Sequence, residues 1–157
     1  MPPASNKAHY LSVITLLATA GVMLVVSWRR WPEVLVDFGL QLYIPWQLTS
    51  GSVLYRDIAY LPGGPISQYF NAGAFELFGA SLMTLAKVNL GLSVALLTII
   101  FHWFKKSSGL ACAFLVSMAT ILVFMFSQYE MGNYNFIAPY SHEALHGLLL
   151  GVLTLAF

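Results

Sequence analysis

The sequence has few charged residues and almost no cysteine. Only 8% of its 157 residues are charged, whereas an ordinary soluble domain carries roughly 25%. The formal net charge is +1, so no strong electrostatic field would attract nucleic acid. The single cysteine, Cys112, excludes an internal disulfide framework or a cysteine-rich metal site. Hydrophobic residues make up 59% of the chain, which is typical of a protein that lies in a lipid bilayer.

Long uncharged runs indicate where the chain crosses the membrane, because a charged side chain at the bilayer centre costs roughly 2.5 to 3.5 kcal/mol. A helix needs about 20 apolar residues to cross. The predicted spans are residues 9–28, 88–104, 109–128 and 144–157. The last run is too short to cross, so we interpret it as a truncated fourth span and the sequence as the N-terminal portion of a longer protein. The predicted fold class is an all-α integral membrane protein.

The first apolar run could instead be a secretory signal peptide. Signal peptides end in a small-x-small cleavage site. The run is followed by Ser27-Trp28-Arg29-Arg30-Trp31, which contains no such site. An uncleaved membrane anchor is therefore the favoured interpretation.

The polar residues are divided unequally between the two membrane faces. The predicted outer loops, residues 29–87 and 129–143, contain every carboxylate of the chain, which are Glu33, Asp37, Asp57, Glu76, Glu130 and Glu143. The opposite face carries Lys7 and the Lys105-Lys106 turn, without any acid. Because the turn is short and purely basic, we place the N-terminus in the cytoplasm. The bare count of basic residues does not favour this orientation, with three on this face and four on the other.

Proline residues suggest helices within the first outer loop. Proline is favoured at the first helical position and disfavours a helix just before it. Pro32 and Pro45 therefore predict a helix over Pro32–Tyr43. A second helix is predicted over Ile66–Leu85. We expect this loop to be structured and to lie against the membrane.

Both outer loops contain motifs that resemble a known family. These are Asp37–Leu48, Gly51–Tyr60 with its Tyr55-Arg56-Asp57 run, Gly64-Pro65 and Tyr69–Ala72 in the first loop, and Asn133–Phe136 and Pro139–Glu143 in the second. The sequence is similar to bacterial membrane glycosyltransferases of the GT-C superfamily, relatives of the protein O-mannosyltransferases and the lipid A aminoarabinose transferases. In that family an acidic residue follows the first span, and a helix, a tyrosine- and glycine-rich turn and a Gly-Pro come after it. The resemblance extends from Trp31 to Gly147 and lacks the family's later spans and C-terminal domain.

The resemblance implies a GT-C-like bundle of transmembrane helices with hexosyl- or pentosyltransferase activity. The donor would be a sugar linked to polyprenyl phosphate. The acceptor would be a hydroxyl of a lipid, glycan or protein at the outer face of the bacterial inner membrane. We expect the 157 residues alone to be inactive, because later spans would wall the groove for the donor and the acceptor.

By similarity, Asp37 occupies the catalytic position of the family. The phosphate that leaves needs no assisting acid, so the group still required is a base. Asp37 would take the proton of the acceptor hydroxyl as it attacks the anomeric carbon with inversion. From the residues alone, Asp37 could instead be an interfacial acid paired with Arg29, Arg30 or Arg56.

The candidate substrate-binding residues are Tyr55, Arg56, Asp57, His142 and Glu143. Arg56 could hold the donor phosphate or pair with the neighbouring Asp57. His142 and Glu143, together with Asp37, could bind a divalent cation, and no other cofactor is expected. Glu143 could instead cap the first turn of the following helix.

Two other classes of function compete with the glycosyltransferase. A transporter would be expected to place ionisable or helix-breaking residues in mid-span, but Gly21 and Gly91 are the only candidates in the middle of the full spans. A non-catalytic membrane scaffold explains the spans but gives no reason for the motifs of the first loop. The acidic residues in the loops favour an active site above the outer face of the bilayer.

Overall fold

A computed structural model describes residues 6–31, 38–60, 63–128 and 134–156. The regular structure in these ranges is helical, apart from one isolated bridge between Leu54 and Ile58. In chain order the helices are α1 (Asn6–Ser27), α2 (Gly39–Thr49), α3 (Pro65–Phe78), α4 (Leu82–Ser108), α5 (Leu110–Ala119), a π-helical segment (Thr120–Met125) and α6 (His142–Ala156). The predicted all-α class is confirmed, whereas the GT-C-like arrangement of spans stays a prediction.

Two helices of the described ranges, α1 and α4, are long and apolar enough to cross a membrane. They contain 22 and 27 residues, which correspond to roughly 33 and 40 Å at 1.5 Å per residue. Most of α1 is exposed, and Val25 is 79% accessible. An apolar helix with so little protein cover is suited to contact with lipid, which supports membrane association.

The third full span predicted over 109–128 stays a prediction, because the described helix in this stretch is shorter than the predicted span. The helical backbone begins at Leu110 in α5, widens into the π-helical segment and ends at Met125. This stretch and α6 are both shorter than a span and count only as short apolar helices. The described residues therefore contain two candidate spans.

Residues 134–138 fold back on the end of the π-helical segment, where the described helix ends at Met125. The Phe136 N–H donates to the Phe124 carbonyl at 2.9 Å. The Asn135 side chain donates to the Ser127 carbonyl at 3.3 Å. Asn135 Oδ1 in turn accepts from the N–H groups of two following residues, at 3.0 and 3.1 Å. Hydropathy alone does not predict these contacts.

The turn between α4 and α5 is shorter than the predicted segment. Helix α4 continues through both lysines to Ser108, and α5 starts at Leu110. Gly109 alone joins them at φ 89°, a conformation that residues with a Cβ rarely adopt. Helices α4 and α5 then pack along each other as a hairpin.

Two apolar cores organise the described residues. The larger lies among α1, α4, α5, the π-helical segment and the second outer loop, and its buried members are Leu16, Ala86, Phe101, Ala113, Ile121, Met125, Phe126 and Ile137. The smaller lies within the first outer loop and contains Ile44, Leu48, Leu54, Tyr60 and Ala72. The first outer loop is therefore folded, with α2 packed against α3.

Two predicted helix boundaries in this loop are wrong. Helix α2 runs through Pro45 instead of ending before it. The predicted helix over Ile66–Leu85 is two helices, because Gly79 at φ 86° ends α3 and the Ser81 hydroxyl accepts the Thr84 N–H at 3.1 Å to start α4. The predicted helix start at Pro32 cannot be compared, since residues 32–37 lie outside the described ranges.

Candidate functional site

The Glu143 carboxylate joins three parts of the chain at the start of α6. Its Oε1 atom accepts hydrogen bonds from the Tyr60 hydroxyl at 2.6 Å and from Gln68 Nε2 at 2.8 Å. Its Oε2 atom accepts from the Ser141 hydroxyl at 2.8 Å. Tyr60 precedes α3 and Gln68 lies on its first turns, so one acid holds the first outer loop against the second. We call Glu143, Tyr60, Gln68 and Ser141 the Glu143 cluster.

Burial and hydrogen bonding set the protonation of this cluster. Burial and the hydrogen bond to Glu143 raise the pKa of Tyr60 to about 12, so Tyr60 is a neutral donor. Burial raises the pKa of Glu143, but hydrogen bonds, led by that from Tyr60, lower it more and leave it below its usual value. Gln41 of α2 extends the cluster, because its Nε2 donates to the Tyr60 oxygen at 3.3 Å. At neutral pH the cluster is therefore an ionised carboxylate surrounded by neutral donors.

Glu143 lies in the first turn of α6, as the capping hypothesis expects. Its oxygens, however, bind side chains of the two outer loops. It is therefore a tertiary link as well as an acid at the positive end of a helix.

Two histidines of α6 fasten this helix to its neighbours. His142 Nδ1 lies 3.2 Å from Asn89 Nδ2 of α4, and His146 Nδ1 lies 2.8 Å from the Ser67 hydroxyl of α3. Sequence analysis singled out His142 but missed His146. The available signal was the spacing of the two imidazoles by four residues, which places them on one helix face, with ring centroids 6.3 Å apart.

The sequence His142-Glu143-Ala144-Leu145-His146 has the spacing of a zinc motif, and Nδ1 of each histidine contacts a neighbouring helix. Asn89 Nδ2 also donates to the Ile137 carbonyl at 3.2 Å, which fixes it as the amide nitrogen. Its amide nitrogen therefore also lies against His142 Nδ1, while Nε2 of His142 and Nε2 of His146 are buried without a hydrogen-bond partner in the part of the chain that the structure describes. Burial lowers the pKa of His142 to about 4, so its ring is neutral.

Within the described ranges no group of three or more His, Cys, Asp or Glu residues could hold a metal ion. The hypothesis of a divalent cation held by Asp37, His142 and Glu143 includes a residue outside those ranges, and it stays a prediction. Both oxygens of Glu143 already accept hydrogen bonds from protein side chains. Glu143 thus joins the two loops, whereas His142 holds α6 against Asn89 of α4.

Gly63 allows the backbone of the first outer loop to approach Glu143. A Cβ at this position would lie 2.9 Å from both Cγ and Oε1 of Glu143. Gly63→Ala should displace the carboxylate and lower the free energy of unfolding by about 1 to 3 kcal/mol. Thermal unfolding of the purified protein in detergent measures this. Gly64→Ala is the matched control, because nothing lies within 4 Å of a Cβ there; equal effects of the two substitutions would contradict the prediction.

Arg56 and Asp57 form the local pair that sequence analysis left open. Arg56 Nε lies 3.0 Å from Asp57 Oδ1, and Nη2 lies 2.8 Å from Oδ2. Asp57 Oδ2 also accepts the Val53 N–H at 2.8 Å. These hydrogen bonds, first of all that from Arg56, lower the pKa of Asp57, and the pairing raises the pKa of Arg56. The pair is exposed, with 70% of the Arg56 side chain accessible.

Tyr55 connects this exposed turn to the Glu143 cluster. Its hydroxyl donates to the Gly63 carbonyl at 3.0 Å, and Gly63 packs on Glu143. Tyr55 has a left-handed backbone, with φ 67°, which is uncommon for a residue with a side chain. The structure therefore brings Tyr55 close to Glu143 through Gly63, while Arg56 and Asp57 project from the same turn.

The candidate base Asp37 lies outside the described ranges, and so does Glu33. Phe38, the next residue after Asp37, is fully buried. Its ring packs edge-on against Tyr134 of the second outer loop, with centroids 6.4 Å apart. Tyr134 in turn packs on Tyr140 at 5.3 Å. The two outer loops thus also meet at Phe38.

Comparison with family models, with curated proteins and with solved structures found no match to the chain. The fold and the site define an all-α chain whose described residues contain two candidate spans, and in which the segment after α1 and the segment before α6 are joined by buried polar and aromatic contacts.

Proposed function

We propose that the protein is a membrane glycosyltransferase, which moves a sugar from a polyprenyl-phosphate-linked donor to an acceptor hydroxyl at the outer face of the membrane. The observation that supports it is the contact between the two motif-bearing loops. Tyr60 and Gln68 lie within or beside the first-loop motifs, and Glu143 ends the second-loop motif. Tyr60 and Gln68 are 83 and 75 positions away from Glu143 in the sequence, yet both donate hydrogen bonds to it.

Arg56 is the proposed ligand of the donor phosphate. A guanidinium has five N–H donors in a rigid plane, and its Nε and Nη2 atoms already bind Asp57. The remaining N–H groups are available to phosphate oxygens. Asp57 holds the guanidinium in one orientation. The hydrogen bond that Asp57 accepts from the Val53 N–H fixes the pair to the turn. Tyr55 and the Glu143 cluster position that turn.

Asp37 is the proposed general base. The acceptor oxygen forms a bond to the anomeric carbon, the bond from that carbon to the phosphate oxygen breaks, and the hydroxyl proton passes to the Asp37 carboxylate. Polyprenyl phosphate leaves with the bonding electrons. Attack opposite the leaving group inverts the anomeric configuration.

Cells that lack the protein should lose one sugar from an outer-surface glycolipid, glycan or glycoprotein. Mass spectrometry of these fractions should show a product lighter by one hexose or pentose residue, and expression of the unaltered full-length protein should restore it. Such a difference also identifies the sugar and the acceptor class. Identical glycans with and without the protein would favour a non-catalytic scaffold or a transporter instead.

A further inference from the structure

A narrow groove runs between the two candidate spans, α1 and α4. Both helices pack against α5, and a cavity of about 240 Å³ lies between them. The Thr98 hydroxyl on its wall donates to the Val94 carbonyl of the same helix at 2.8 Å, so the walls offer a ligand mainly hydrocarbon surface. These walls are formed by Val13, Leu16 and Leu17 of α1 and by Leu97, Thr98 and Phe101 of α4.

Basic side chains gather at one end of this groove. His9 and His102 line it, and Lys105 Nζ lies 3.5 Å from His9 Nδ1. The His9 ring also packs on Phe101, with centroids 5.9 Å apart, so the start of α1 and the end of α4 meet here. An ammonium has three N–H donors, and the contact with His9 occupies at most one. Because the Lys105 side chain is exposed, its other donors are accessible to an anion.

No carboxylate of the three helices around the groove balances this positive charge. Neither α1, α4 nor α5 contains an acidic residue. Asp57 and Glu76 come before the start of α4, which is separated from its basic end by 27 residues, or roughly 40 Å. The basic end of the groove is therefore suited to an anion that comes from outside these helices.

We propose that this groove binds one anionic phospholipid. An acyl chain lies between α1 and α4, and the headgroup phosphate contacts Lys105, His9 and His102. The site is at the end of α4 that is far from Asn89, where α6 and the Glu143 cluster attach. It therefore does not rest on the proposed function.

The dimensions of the groove suit a lipid chain. From Lys105 to Leu97 the groove follows α4 for about 12 Å at 1.5 Å per residue, close to the ~15 Å hydrocarbon depth of one leaflet. Over this length the cavity volume corresponds to a cross-section of roughly 20 Å², whereas a helix about 10 Å wide needs roughly 80 Å². A single hydrocarbon chain fits this space, but a further helix of this chain or of a second copy does not.

The surface around the groove selects a lipid over a free phosphate ion. On α1, the side chains of Tyr10, Ile14 and Leu17 are 65%, 62% and 67% accessible, and apolar surface of this kind on a candidate span suits contact with hydrocarbon. Lysine side chains near the membrane surface are attracted to anionic headgroups. A phospholipid carries the phosphate and the chain in one molecule, so it matches both parts of the site, whereas a free phosphate matches only one.

Native mass spectrometry tests which lipid the groove retains. The purified protein is mixed with equal amounts of phosphatidylglycerol and phosphatidylcholine that carry the same acyl chains, and it is then released from the detergent micelle. Phosphatidylglycerol should be retained severalfold more than phosphatidylcholine. Lys105→Gln should lower this retention about fivefold, the effect of one basic side chain near anionic headgroups. Lys87→Gln is the matched control, because Lys87 is an exposed lysine near the other end of α4, and it should leave the retention unchanged.

A bulky side chain in the groove tests the position of the acyl chain. Thr98→Trp should lower the retention of both lipids severalfold. Ala95→Trp is its control, because Ala95 is exposed on α4 and is not among the residues that line the cavity. An excess of inorganic phosphate should not displace the lipid.

Four outcomes would overturn the proposal. Equal retention of the two lipids by the unaltered protein, or equal losses for Lys105→Gln and Lys87→Gln, would mean that the headgroup has no specific site. Unchanged retention by Thr98→Trp would mean that the acyl chain lies elsewhere. Displacement by inorganic phosphate would make a free anion the ligand.

Discussion

Asp37→Asn is expected to lower the rate of sugar transfer by about 10²- to 10⁴-fold, the usual contribution of a general base. The amide keeps the size of the carboxylate and part of its hydrogen bonding, but it cannot accept the proton of the acceptor hydroxyl. Protein amount and thermal stability should change little, so the loss would appear in turnover. The measurement is sugar transfer by the purified full-length variant at matched protein levels.

Glu33→Gln and Asp57→Asn are the controls for this substitution. Asp57 pairs with Arg56 and accepts the Val53 N–H, so its replacement should mainly weaken the turn and raise the KM for the donor. If Asp37→Asn kept near-normal turnover while Glu33 or Asp57 proved essential, another acid would be the base. If all three acids were dispensable, the glycosyltransferase proposal would fail.

Glu143→Leu is expected to destabilise the protein strongly, because the substitution leaves the Tyr60 hydroxyl, Gln68 Nε2 and the Ser141 hydroxyl without their acceptor. A buried donor that loses its acceptor costs about 1 to 3 kcal/mol, so a total on the order of 3 kcal/mol is expected for this half-buried cluster. Thermal unfolding in detergent measures the loss. Glu76→Gln is the control, because this acid is exposed and lies outside the Glu143 cluster.

The pH dependence of stability distinguishes the contribution of the Glu143 charge from the contribution of its size and hydrogen bonding. The folded protein holds the pKa of Glu143 below its usual value, so its stabilising effect is fully present above that usual value, about 4.3 in an unfolded chain. It is lost as the pH falls through the folded value. The unaltered protein should therefore lose more stability on acidification than Glu143→Gln. Parallel curves for the two proteins would show that the carboxylate charge contributes nothing.

The two candidate spans could be predicted from the sequence, because charged residues mark where their uncharged runs end. The uncharged run that ends before Arg29 and the one that ends before Lys105 correspond to α1 and α4. The helix in the third predicted span is shorter than predicted, and Phe136 and Asn135 fold back on its end. Hydropathy describes the run itself and contains no information about a loop that ends it.

The first outer loop contains two local sequence signals for helix boundaries. The structure follows the one at Gly79 and overrides the one at Pro45. Gly79 followed by Ser81 and Thr84 is a recognisable helix stop and N-cap, and it separates α3 from α4. Pro45 normally limits a helix, because it removes a backbone donor. In α2 it is buried together with Ile44 and Leu48, so tertiary packing offsets the lost hydrogen bond.

The candidate site could be predicted only in part. The ion pair of Arg56 and Asp57 is local, and its adjacency in sequence indicated it. The links from Tyr60 and Gln68 to Glu143 join distant residues, and no local pattern specifies which acid of the second loop they reach. His146 could have been found from its spacing to His142, since helical periodicity alone places them together.

Donor specificity in proteoliposomes tests the proposed function most directly. Radiolabelled sugar is supplied to the full-length protein either on polyprenyl phosphate, in the leaflet that faces the first outer loop, or as a nucleotide sugar in solution, with a mixture of membrane acceptors. We predict transfer from the lipid-linked donor, abolished by Asp37→Asn, and none from the nucleotide sugar. Transfer from the nucleotide sugar, or none from any lipid-linked donor, would contradict the assignment.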